Sequence, residues 1–162
     1  MLLKNWKRFC LLLIAGMIGF MTLTITGCSS ETNDSSVSID QICDRLIDEL
    51  SYPEMANVSA RYNYYYDLSD DLLQECRLYV CSSGAYPDEL AVFQLKNSAD
   101  LQTLEKAVQT RKEYLLETWK TYKPEEVPKI ENSGLVSYAG FYFYIISENK
   151  EKASEVFDSL VG

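Results

Sequence analysis

Histidine is missing from all 162 residues. Its absence excludes Ser-His-Asp and Cys-His nucleophilic catalysis, histidine-containing zinc sites and a histidine pH switch. Basic residues are scarce as well: 15 Lys and Arg stand against 24 Asp and Glu, a formal net charge of −9. Binding a polyanion takes clustered Lys and Arg that displace counterions, so this balance argues against nucleic acid. The chain has no internal repeat, and no low complexity beyond one short polar stretch. Charged residues at 24% and hydrophobic ones at 47% suit a globular protein and exclude wholesale disorder. The length allows one ordinary domain.

The strongest pattern lies at the N-terminus. Lys4, Lys7 and Arg8 form a positive region, and Phe9 to Ile25 follows without a charge. The run ends in Ile25-Thr26-Gly27-Cys28, which resembles the lipobox of bacterial lipoproteins. There a cysteine thiol takes a diacylglyceryl group, small residues before it admit a peptidase, and acyl chains such as palmitate anchor the product. The apolar run alone also fits a plain transmembrane anchor, since about 17 apolar residues just span a bilayer. An ordinary secretory signal with an incidental Cys28 is the other alternative. Charge, apolar length and terminal tetrapeptide agree best with a lipoprotein. The expected organisation is a signal peptide at 1–27, lipidated Cys28 with a polar tether at 28–37, and a single α+β domain at 38–162. Cleavage leaves 12 basic and 24 acidic residues, net −12, on the extracytoplasmic face of the membrane.

Three cysteines remain beyond Cys28: Cys43, Cys76 and Cys81. Cys43 falls on the apolar stripe of the first helix. Cys76 and Cys81 lie five apart on one strand and face opposite ways, which disfavours a bond between them. Three free thiols are expected, with a bridge from Cys43 to Cys76 or Cys81 left open.

Periodicity orders the rest. Ser38 and Gln41 have capping-box spacing, and Ile39, Ile42, Cys43, Leu46, Ile47 and Leu50 recur at helical period, predicting a helix over 38–51. Arg61 to Tyr66 alternates and reads as a short or irregular strand. Strands follow at 75–81 and 89–96, joined by a loop with turn chemistry. A helix of about 24 residues begins at Asn97 or Ser98, with Leu101, Leu104, Val108, Leu115, Trp119 and Tyr122 on one stripe, and Pro124 ends it. A polar connection, strands at 134–138 and 140–147, and a helix over 149–160 complete the chain. Gly140 to Ser147 is apolar on both faces and so belongs inside the sheet. The pattern implies an α+β two-layer sandwich: a mostly antiparallel sheet of four or five strands, with three helices to one side, one of them long.

Tyr86-Pro87-Asp88-Glu89-Leu90-Ala91-Val92-Phe93, Arg111, Tyr122-Lys123-Pro124 and Gly140-Phe141-Tyr142 together resemble a family known as domain of unknown function 4358, found in small Gram-positive lipoproteins. The resemblance spans about residues 38–160. It implies location and domain extent and carries over no catalytic residue.

Several groups are candidate sites. Tyr62, Tyr64 and Tyr66 would share one strand face and Tyr138, Tyr142 and Tyr144 another; such rows stack on sugars or cover a half-buried sheet. Arg111 interrupts the long helix's apolar stripe; it either clamps an anion or lays its stem on the core and pairs with a surface carboxylate. Asp67, Asp70 and Asp71 lack the pattern of a calcium loop and suit a turn. Asp88 and Glu89 are placed to pair with Arg or Lys across the sheet. Ser147 and Lys150 match S-x-x-K, but the accompanying penicillin-binding elements are absent and Ser147 reads as a helix cap. No cofactor or metal is expected. The reading is a membrane-anchored lipoprotein with a non-catalytic domain that binds a protein or cell-wall partner. The alternative is a small cell-wall enzyme using two carboxyl groups about 5–10 Å apart.

Overall fold

The computed structural model describes residues 38–160. The expected signal peptide, Cys28 and the tether through residue 37 lie outside the described residues.

Helix α1, Ile39–Glu49, starts at a capping box: Gln41 N–H donates to Ser38 Oγ, and the Gln41 side chain accepts from Ser38 N–H. Strand β1, Met55–Asn57, follows. Asn57 Oδ1 then accepts from Ser59 N–H, opening a 3-10 turn at Ser59–Arg61 that runs into helix α2, Tyr62–Tyr66. Asp67, left-handed at φ 51°, ends α2. The alternating tyrosines therefore form a helix where alternation predicts a strand. Of these, Tyr66 is buried, Tyr62 and Tyr65 pack against the core, and Tyr64 is exposed. Strand β2, Leu73–Cys81, and β3, Glu89–Leu95, form the expected hairpin.

Asn97 caps a 3-10 turn at Ser98–Asp100 that leads into helix α3, Leu101–Tyr122. Leu104, Val108, Leu115 and Trp119 form its buried stripe, while Tyr122 is exposed. The polar connection proves helical: a 3-10 turn at Pro124–Glu126 precedes α4, Val127–Glu131, with Pro128 in its first turn, where a missing N–H is harmless. Strand β4, Gly134–Tyr138, turns through Ala139 and Gly140, both at positive φ (49° and 82°), into β5, Phe141–Ile146. A 3-10 turn at Lys150–Lys152 leads into α5, Ala153–Leu160.

All strand pairs are antiparallel, in the order β1-β2-β3-β5-β4, so β3 is central and β5 interior. Alternate residues of these strands enter two separate cores. Leu90, Val92, Phe143 and Ile145 pack with α1 and α5. Leu78, Ala91, Phe93, Tyr144 and Ile146 pack with α3 and with Ile130 of α4. The architecture is α+β with an antiparallel sheet, but helices cover both faces, making three layers where two are expected. The reason lies in the strands: β3 and β5 are apolar on both sides, so each face needs its own cover. Two short helices, α2 and α4, bring the α-helices among the described residues to five.

Leu46→Ala and Leu104→Ala probe opposite faces of the sheet. Each is expected to cost about 2–5 kcal/mol in urea unfolding, while Tyr122→Ala stays within about 0.5 kcal/mol. A negligible cost at Leu46 would contradict the third layer.

Candidate functional site

The β2–β3 loop delivers Asp88 and Glu89 to the start of the central strand. Glu89 faces α3, on the same side as Ala91 and Phe93, and is only 1% exposed. Arg111 interrupts the α3 stripe opposite it. Its Nε lies 3.3 and 3.2 Å from Glu89 Oε1 and Oε2, and its Nη2 lies 2.5 Å from Oε2. Tyr66 donates its hydroxyl to Glu89 Oε1, and Tyr52 donates to the Glu89 carbonyl at 3.2 Å. Among the described residues, Arg111 Nη1 has no hydrogen-bond partner. Burial pulls the guanidinium down, but the adjacent Glu89 carboxylate outweighs it and holds Arg111 above its ordinary value. Burial, reinforced by Glu89, holds the Tyr66 phenol well above its own.

A second buried pair lies beside the first. Lys129 of α4 sits 2.8 Å from Asp88, 2.9 Å from Glu126 and 3.4 Å from Glu148. Lys123 reaches the other Glu126 oxygen at 2.8 Å. Burial lowers Lys129, yet Asp88 and Glu126 together raise it above its usual value. Asp88 has one close cation, so burial prevails there and its carboxyl is held up. The Tyr86 ring closes the group, with Lys123 Nζ 4.0 Å and Lys129 Nζ 5.5 Å from its centroid.

Two open clefts meet at Arg111. One, of about 450 Å³, is lined by Val58, Tyr65, Cys81, Tyr86, Arg111 and Trp119 among others. The other, of about 600 Å³, is lined by Tyr64, Tyr65, Asp67, Arg111, Tyr114 and Trp119 among others. Their common wall includes Tyr65, Arg111, Leu115 and Trp119. The guanidinium carbon stands 4.8 Å from the Tyr65 centroid and 5.6 Å from that of Tyr114.

The other candidate groups do not assemble into sites. Tyr62 donates to Asp70 and sits on α2, so Tyr62, Tyr64 and Tyr66 share no strand face. Tyr142 and Tyr144 face the α3 core, but Tyr138 lies on the opposite face and stacks on Phe157 at 4.7 Å. The two-residue turn causes this: Tyr138 pairs with Phe141, which puts even residues of β4 beside odd residues of β5. Asp67 ends α2, and Asp71 is exposed in the turn that follows. No group of three or more acidic or cysteine residues is placed to hold a metal among the described residues. Ser147 donates to the Leu50 carbonyl at 3.2 Å and accepts from Asn149 N–H, so it ties β5 to the end of α1 rather than capping α5. Lys150 is turned away onto the Asn132 carbonyl.

Cys43, Cys76 and Cys81 are free thiols. Cys43 and Cys76 lie in cores on opposite faces of the sheet, and burial pushes each thiol up to about 12. Burial also raises Cys81, but Ser83 and backbone N–H groups of the loop outweigh it and leave the thiol below its ordinary value.

Arg111 pairs with a buried carboxylate, where a surface partner is expected, and Asp88 and Glu89 find their cations in the helical layer rather than across the sheet. Lys129, Tyr65, Tyr86 and Trp119 carry no chemical motif in the sequence. For Lys129 the available signal is Pro124 and Pro128, four apart, each suited to a first helical turn.

The chain belongs to the family described as Domain of unknown function (DUF4358), whose model matches residues 49–147. Tyr86, Asp88, Glu89, Arg111 and Lys123, among the residues that carry the resemblance, meet around the first cleft and its buried pairs. No curated protein and no solved structure matches the chain.

Removing Arg111 leaves a carboxylate uncompensated in the core. Arg111→Met is expected to cost about 3–5 kcal/mol in urea unfolding. Adding Glu89→Gln should recover at least about 1 kcal/mol of that loss. Strictly additive costs would show that the pair is not coupled.

Proposed function

We propose that this chain is a lipid-anchored extracytoplasmic lipoprotein whose α+β domain is a non-catalytic binding module. The anchor rests on the N-terminal charge, the apolar run and Ile25-Thr26-Gly27-Cys28. The polar stretch after Cys28 suits a tether that keeps the acidic domain near the membrane without lying on it. One observation carries the binding role: Arg111, gripped by Glu89, lines the wall between two open clefts with Nη1 unpartnered among the described residues. Rigidly held polar groups amid aromatic walls are the ordinary make-up of a ligand site.

A carboxylate-dependent cell-wall enzyme would need two carboxyl groups available for acid and base work. The raised carboxyl of Asp88 beside Glu89 is the feature that favours it. Both groups, however, are engaged by cations, Asp88 by Lys129 and Glu89 by Arg111. The geometry thus suits holding a ligand better than moving protons.

Two experiments test the two halves. Cys28→Ala is expected to release the protein from membranes or leave it unprocessed; retention in the membrane at mature size would overturn lipidation. A photo-cross-linking residue at Tyr114, placed in the full chain in living cells, is expected to give a discrete adduct that the same residue at Ser154 does not. Identical patterns at the two positions would overturn binding at these clefts.

A further inference from the structure

Resting on that reading of the clefts, we propose that their ligand is a neutral saccharide, with pyranose rings stacked on the tyrosines and an acceptor oxygen on Arg111 Nη1.

Charge narrows the ligand first. The whole chain carries a net −9, which disfavours polyanions at long range. Arg111 does not reverse this locally, because Glu89 lies 2.5 Å from it and cancels its charge. What remains at the wall is a fixed hydrogen-bond donor without net charge. Such a group selects a neutral acceptor, a hydroxyl or amide carbonyl, over a phosphate or carboxylate that must lose its hydration for no Coulombic return.

The aromatic groups narrow it further. Tyr64 and Tyr114 line the larger cleft and remain 77% and 59% exposed, with the Arg61 guanidinium 5.1 Å from the Tyr64 centroid on one side. Tyr65, with Arg111 over its ring, stands between the two clefts, and Trp119 borders both. Flat apolar surfaces bordered by polar groups match a sugar, whose ring has an apolar face and a rim of hydroxyls. The clefts also have the volumes of small-ligand sites. A quaternary ammonium, the other frequent guest of aromatic sites, fits poorly because the guanidinium group already covers the Tyr65 ring at 4.8 Å. Asp67, at the rim of the larger cleft, supplies a carboxylate to accept from sugar hydroxyls.

The test uses the lipid-anchored protein purified in detergent; removal of residues 1–27 takes Trp6 with it, so Trp119 is its single tryptophan reporter. The probes are a β-1,4-linked N-acetylglucosamine tetramer and, as an anionic counterpart, a galacturonic acid tetramer. The neutral tetramer is expected to shift Trp119 emission saturably, with an affinity that changes less than twofold between 50 and 500 mM salt. Tyr114→Ala should weaken it about tenfold without altering the urea midpoint, since that ring is exposed. Arg111→Lys, which keeps a cation beside Glu89 but lacks Nη1, should weaken it as well. Tighter binding of the anionic tetramer, or a neutral-sugar affinity indifferent to Tyr114→Ala, would overturn the assignment. If neither sugar binds while Tyr114 still gives a cross-linked protein in cells, the ligand class is wrong and the binding reading stands. If neither sugar binds and no adduct forms, both fail.

Discussion

The ion pair between Glu89 and Arg111 joins the sheet to its long helix. Two charges taken out of water cost several kcal/mol each, and only close, multiply bonded geometry offsets that loss. Here the guanidinium addresses both carboxylate oxygens, and Tyr66 supplies a third donor. Apolar packing tolerates some rotation of a helix on a sheet. A guanidinium locked to a carboxylate does not, so α3 has one orientation above β3. That orientation also places Tyr65 and Tyr114 against the flat guanidinium and sets Arg111 in the lining of both clefts.

From this point the arrangement spreads through β3. Glu89 begins the strand, and its carbonyl accepts from Tyr52, which packs with the core on the opposite face. The same residue is therefore held from both faces of the sheet, through its side chain by α3 and through its backbone by the segment that follows α1. The preceding residue, Asp88, is held by Lys129, which ties the loop to α4. The clefts lie where these constraints converge. Their walls are positioned by the same contacts that fix the layers, so the site needs no separate scaffold.

Much of this fold is legible in the sequence because the signals are local. Ser38 and Gln41 announce α1, the turn residues from Ser82 to Asp88 announce the hairpin, and the stripe from Leu104 to Trp119 announces α3. The two-sided apolarity of Phe141 to Ile146 even implies cover on both faces, which a two-layer arrangement cannot supply. Tyr62 to Tyr66 misleads because five residues match both a period of 2 and a period of 3.6. The Asn57 and Ser59 contacts that decide for a helix act from outside the segment. Tyr138 misleads for another reason: its distance from Tyr142 in sequence is even, but a two-residue turn between strands reverses the parity. Of the site, Arg111 is visible as a charge in an apolar stripe. Its partner is not, since Glu89 and Lys129 are fixed by tertiary packing that no spacing encodes.

The buried charges themselves argue for a function at this end of the domain. Well-packed apolar side chains in place of a buried ion pair are often neutral or stabilising. Glu89, Arg111, Asp88, Lys129 and Glu126 are therefore not explained by stability alone, and four of the five also touch the first cleft or its bordering Tyr86 ring. An apolar core would hold α3 in place equally well, but it would present no donor at the wall. Pairing the charges internally solves a second difficulty, because a lone arginine there would attract every anion. The pairs keep the cleft polar and directional while leaving it nearly uncharged. In the proposed binding role, recognition would then depend on shape and on one fixed donor, which suits a ligand with flat faces and many acceptors.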